Sequence, residues 1–77
     1  MSYIKIIETD NPYSEKTRRW NVMRAEYPHI KLGEIAWMGS WRKYAFYPEP
    51  QTIFEETCLA DIAEFLLSAT ADQTRTA

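Results

Sequence analysis

The stretch Ile30-Lys31-Leu32-Gly33-Glu34-Ile35-Ala36-Trp37-Met38-Gly39-Ser40-Trp41-Arg42-Lys43-Tyr44-Ala45-Phe46-Tyr47 decides how this chain folds. Apolar residues that recur at every second position mark a strand, because successive side chains of an extended backbone point to opposite faces. Ile30 and Leu32 have one parity and Ile35 and Trp37 the other, with Gly33 at the change. A bulge at Gly33 returns both pairs to one face and makes 30–38 a single strand. Gly39-Ser40 is a tight-turn pair, and 41–47 alternates as the partner strand, with Tyr44 and Phe46 opposed to Lys43 and Ala45. Pro48-Glu49-Pro50 ends it.

Upstream, residues 16–25 read as another strand, with Trp20 and Val22 on one face, Arg18 and Arg24 at its ends, and Arg19, Asn21 and Met23 on the other face. Residues 3–7 are β-prone, with Ile4 and Ile6 on one side, and suit a sheet edge. The Asp, Asn, Pro and Ser of 9–15 are turn chemistry. Downstream, Thr52-Ile53-Phe54-Glu55 has the spacing of a capping box, and Glu55 and Glu56 suit the positive end of a helix dipole. Leu59, Ile62, Leu66 and Ala69 recur at helical spacing, widened by Cys58 and Phe65, which predicts a helix over 55–69. Residues 70–77 lack an apolar anchor and are expected to fray as a flexible tail.

The expected architecture is one α+β domain over 1–69: a small antiparallel sheet of three to four strands packed by one C-terminal helix. Its core should hold Trp20, Val22, Leu32, Ile35, Trp37, Tyr44, Phe46, Leu59, Ile62, Phe65 and Leu66. Trp41 and Tyr47 are left nearer the open face.

Composition narrows the function. The chain has 77 residues, 45% hydrophobic and 26% charged, with 3 Trp, 5 Tyr and 3 Phe. That is too aromatic for a disordered chain, and no apolar run reaches the roughly 18 residues of a membrane span. The N-terminus lacks the layout of a secretory signal. One cysteine, Cys58, and one histidine, His29, make neither a disulfide framework nor a four-ligand zinc site, so a reducing cytoplasm without cofactor is the expected setting. Residues 1–48 carry eight Lys or Arg against five acids, and 49–77 one Arg against six acids, which implies two faces of opposite sign.

The segments Leu32-Gly33-Glu34-Ile35-Ala36-Trp37, Trp41-Arg42-Lys43-Tyr44-Ala45-Phe46-Tyr47-Pro48 and Cys58-Leu59-Ala60-Asp61-Ile62-Ala63-Glu64-Phe65-Leu66 resemble a group of small uncharacterised bacteriophage and prophage proteins. Their shared pattern is Leu-Gly-x-Ile-x-Trp, Trp-Arg-x-Tyr-x-Phe-x-Pro and Cys-Leu-x-x-Ile-x-x-Phe. The resemblance spans about half the chain. It implies a phage origin and action in the host bacterial cytoplasm, and it brings no catalytic residues.

Among candidate chemistries, the hairpin aromatics with Arg42 and Lys43 could stack bases of single-stranded nucleic acid at about 1–3 kcal/mol each. Packing the sheet against its helix claims most of the same rings first, and a sequence pI near 5.3 is low for a nucleic-acid binder. Helical geometry disperses the series Glu49, Glu55, Glu56, Asp61 and Glu64, so a solvated acidic face is expected rather than a metal or acid-base site. Cys58 shares the apolar stripe and reads as a packing thiol. With only Gly33 and Gly39 there is no glycine-rich phosphate loop and no nucleophile elbow, so an enzyme is not expected. The expected function is that of a non-catalytic phage accessory protein binding a host or phage protein, with inhibition of a defence system such as a CRISPR complex as one subtype by family analogy. The binding surface would be Arg19, Trp41, Arg42, Lys43 and Tyr47 on the open sheet face, or else Asp61 and Glu64 on the helix. The alternative is a single-stranded nucleic-acid binder using the same sheet residues. A homodimer through the 3–7 edge strand is a third expectation.

Overall fold

The computed structural model describes residues 3–27 and 29–76. Its elements are β1 (Ile4–Thr9), β2 (Arg19–Arg24), β3 (Lys31–Met38), β4 (Lys43–Pro48) and α1 (Glu56–Thr76). The strands pair antiparallel in chain order, with β1 and β4 at the edges. This is the α+β fold expected, and the N-terminal segment does join the sheet.

Ile4, Trp20, Val22, Ile35 and Tyr44 form one face of the sheet, and α1 closes it with Cys58 and Ile62. Ile6, Leu32, Trp37, Phe46, Phe65, Leu66 and Ala69 pack around this centre. Trp20 is the hub: its ring meets Tyr44 at 5.1 Å and Phe65 at 5.0 Å between centroids, both edge to face. Leu59, expected in the core, is 49% exposed. With Cys58, Ile62, Phe65 and Ala69 turned inward, a residue 100° beyond Cys58 falls on the shoulder of the helix.

The parity change in β3 produces the expected bulge. Val22 pairs with Gly33 but Met23 pairs with Lys31, so Leu32 is the extra residue. Leu32 thereby joins the core, and Lys31 joins Glu34 on the opposite face. Ile30 precedes the strand and stays partly exposed. Gly33 is required for a second reason: a Cβ there would lie 2.6 Å from the Phe46 ring and 2.6 Å from the Tyr47 carbonyl oxygen.

Several boundaries differ from expectation: β1 runs on to Thr9, β2 is confined to Arg19–Arg24 within the expected 16–25, and the hairpin and both helix ends also shift. The β3–β4 connection uses four residues, 39–42, with Trp41 N donating to Met38 O and Arg42 N to Gly39 O, and Arg42 at φ 53°. Trp41 and Arg42 therefore belong to the turn and not to β4. The helix begins at Glu56, and its cap is Glu55, whose Oε1 accepts from Cys58 N at 2.6 Å. Thr52 instead donates its hydroxyl to Glu49 O at 2.8 Å, so the Thr52–Glu55 box does not form.

Finally, residues 70–76 continue α1 and do have anchors. Tyr44 N donates to Thr70 Oγ1, Tyr44 Oη donates to Gln73 Oε1, and Gln73 Nε2 donates to Lys16 O. Arg18 N in turn donates to Tyr44 Oη at 3.0 Å. These polar ties dock the C-terminal turns where no apolar periodicity announces them. Thr70 also occupies an outward amide of β4, which blunts that sheet edge.

Candidate functional site

The sheet face away from α1 is uncovered, and its register sets the side chains in rows. Ile7, Asn21, Glu34 and Tyr47 form one row, Lys5, Met23 and Lys31 a second, and Met38 sits opposite Lys43. Arg19 lies beside the first row, facing Thr9. Lys5, Arg19, Lys31 and Lys43 thus face outward with Glu34 as the acid among them. The exposed acids of α1, among them Glu56 and Glu64, stand on the other side of the molecule. The charge split read from the sequence is therefore only partly a split between layers, because Arg18, Arg24 and Arg42 line hollows on the helix side.

Glu34 holds the centre of this face. It accepts hydrogen bonds from Lys31 Nζ and from Arg19 Nη2, and the Arg19 guanidinium also sits 5.1 Å from the Tyr13 ring centroid. The Lys31 ammonium first, and Arg19 after it, hold the Glu34 carboxyl below its ordinary value of 4.5 against a desolvation that acts the other way. A depressed native pKa means that the stabilisation is present above the unfolded value and is lost as pH falls through the native one. Glu34→Gln should therefore reduce the stability measured by urea titration at neutral pH by about 1 kcal/mol or less, since the triad is partly solvated. The gap to the parent chain should close on acidification below 4.5. A gap that persists in acid would show that the loss comes from packing and not from charge.

The structure divides the predicted site residues. Arg19, Lys43 and Tyr47 share the open face, with Tyr47 at 40% exposure. Trp41 stands at the hairpin tip and is 67% exposed. Arg42 turns toward the helix side, lining a hollow of about 420 Å³ with Lys16, Trp37 and Gln73. Trp37 and Lys16 also border a neighbouring hollow of about 380 Å³ that includes Tyr13 and Arg19. The hairpin-tip end of the molecule is thus ringed by Lys16, Arg19, Arg42 and Lys43 around exposed aromatic edges. Tyr13, 82% exposed, was not singled out by the sequence, because a turn tyrosine carries no periodic signal.

Asp61 and Glu64 lie elsewhere, beside Ile6 and Phe65 in a shallow hollow on the β1 side of α1. They are not contiguous with the basic face. Among the described residues, no group of three or more His, Cys, Asp and Glu is placed to hold a metal ion. Cys58 is buried, and desolvation, reinforced by the Glu55 carboxylate, pushes its thiol up from the ordinary value, so the activating effect of a helix N-terminus is cancelled. His29 is exposed, with its ring 6.3 Å from that of Tyr27 in the β2–β3 connection, at the far end of the strands from Trp37.

A second surface escaped the sequence reading altogether. At the end of the sheet remote from the hairpin tip, the 50–55 loop and the ends of β1, β2 and β3 enclose a hollow of about 620 Å³. Ile53 on its rim is 93% exposed. No helix among the described residues is long and apolar enough to cross a membrane. Comparison of the chain with protein-family models, with curated proteins and with solved structures returns no match.

Proposed function

We propose that this chain is a small non-catalytic binding module that captures an acidic protein surface with its hairpin tip and open sheet face. The observation that carries this reading is Trp41, 67% exposed and flanked by Arg42 and Lys43. An exposed Trp beside Arg is favoured hot-spot material, because it buries a large area at small entropic cost. Lys5, Arg19 and Lys31 extend the positive field over the sheet and would steer an acidic partner onto it. The Trp20, Trp37, Tyr44 and Phe46 rings supply the core and leave the outer face to recognition. The resemblance to small phage proteins supports an accessory role against a host or phage protein in the bacterial cytoplasm, with inhibition of a defence complex as the subtype.

Affinity capture from bacterial lysate, with and without nuclease, tests this reading. The parent chain should retain a discrete protein after nuclease treatment. Trp41→Ala/Lys43→Ala should lose about tenfold or more of that retention while melting cooperatively at nearly the parent temperature. Retention that survives the double substitution refutes the assigned surface. The second reading, single-stranded nucleic acid, is favoured by the ring of Lys16, Arg19 and Arg42 about Trp37. It requires a salt-sensitive quench of Trp fluorescence by an oligonucleotide.

A further inference from the structure

The hollow beneath Ile53 has an apolar floor of Ile4, Leu32, Phe54 and Cys58, while Arg24 and Glu55 stand on its walls. Tyr3 is 57% exposed and Ile53 93% exposed along the same rim. Ile53 projects almost fully into solvent beside the apolar floor that could receive such a side chain. We propose that this end of the molecule is a self-association surface on which a second copy of the chain docks about a two-fold axis. Each copy inserts Ile53 into the other's hollow and faces its Arg24 toward the other's Glu55.

Two observations select a second copy over other occupants. An isologous contact needs a surface that carries both a projection and its complement, and here Ile53 and the hollow lie side by side. The walls carry one cation and one anion, so two-fold pairing matches both charges at once. An acidic or a basic partner would set a like charge against Glu55 or against Arg24. The surface is also remote from the hairpin tip: Ile4 pairs with Arg24 at one end of the strands, and Met38 pairs with Lys43 at the other. The pair would therefore carry two Trp41 tips directed apart, a bivalent arrangement that leaves the capture surface uncovered.

Sedimentation of the purified full chain over a concentration series reads this directly. The parent should approach twice the 9.1 kDa chain mass. Ile53→Asp should weaken self-association by about tenfold or more. Because Ile53 is so exposed, this variant keeps the packing of the single chain, and its dilute-solution melt should match the parent's. Arg24→Glu and Glu55→Lys should each impair pairing alone, and mixing them should restore a species with one copy of each, since both wall pairs become complementary. Should Glu55→Lys unfold through loss of the helix cap, Glu55→Ser keeps a capping oxygen and should weaken pairing with α1 intact. A single-chain mass at every concentration overturns the proposal. So does a two-chain mass that Ile53→Asp leaves unchanged, which would place the contact elsewhere, for instance on the β1 edge.

Discussion

Gly33→Ala is expected to lower stability by about 3 kcal/mol, near the upper end of the cost of overpacking. The added methyl meets the Phe46 ring and the Tyr47 carbonyl oxygen at 2.6 Å each. The ring can rotate, but the carbonyl belongs to the β4 backbone and moves only if the β3–β4 ladder opens. Domains of this size hold about 4–12 kcal/mol in all, so the loss is a large share and should depress the melting temperature by about 10–20 °C. Gly39→Ala is the matched control. Nothing lies within 4 Å of a Cβ at Gly39, and its φ is not positive, so alanine there should be neutral or slightly stabilising through the unfolded chain. Equal melting temperatures for the two variants would show that β3 and β4 do not approach as described.

Trp20→Ala should cost about 3–5 kcal/mol, the range for deleting a large buried ring. Trp20 is 5% exposed and joins Tyr44 on β4 to Phe65 on α1, with the Arg18 guanidinium 5.0 Å above its ring and paired to Glu8. Its loss removes the bridge between the layers, and the variant should unfold in chemical denaturant at a much lower midpoint with a broadened transition. Trp41→Ala, by contrast, should change stability by less than about 0.5 kcal/mol. Tryptophan fluorescence and circular dichroism through a urea titration measure both. Comparable losses at Trp20 and Trp41 would mean that the hairpin tip is part of the core.

The contrast between these tryptophans shows where the sequence is informative. Period-two alternation around Trp20 and Ile35 identified the inner face, and the parity change at Gly33 located the bulge, because both follow from backbone geometry that every residue obeys. Turn and cap details were less legible. Gly39-Ser40 resembles a two-residue turn, yet the chain closes over four residues with Arg42 in the left-handed region, a conformation that an arginine does not advertise. Thr52 and Glu55 have capping-box spacing, but the Thr52 hydroxyl turns back to Glu49 O, and Glu55 caps the helix alone by accepting from Cys58 N. The C-terminal turns of α1 depend on Thr70 and Gln73 reaching Tyr44 and Lys16, bonds between residues far apart in sequence. The binding surface was legible in part: Arg19, Lys43 and Tyr47 share a parity that the alternation preserves. Tyr13 and Ile53 stand out only once the path of their loops is known.

Fluorine NMR of the chain labelled with fluorotryptophan reads directly whether the inner rings hold sheet to helix while Trp41 meets the partner. The chain's 3 tryptophans give one resonance each, assigned by single Trp→Phe substitutions. Trp20 should be shielded from a soluble paramagnetic agent before and after the captured partner is added, and Trp41 should be accessible alone and protected in the complex. An accessible Trp20 in the free chain, or a Trp41 that stays accessible in the complex, would contradict this division between the rings.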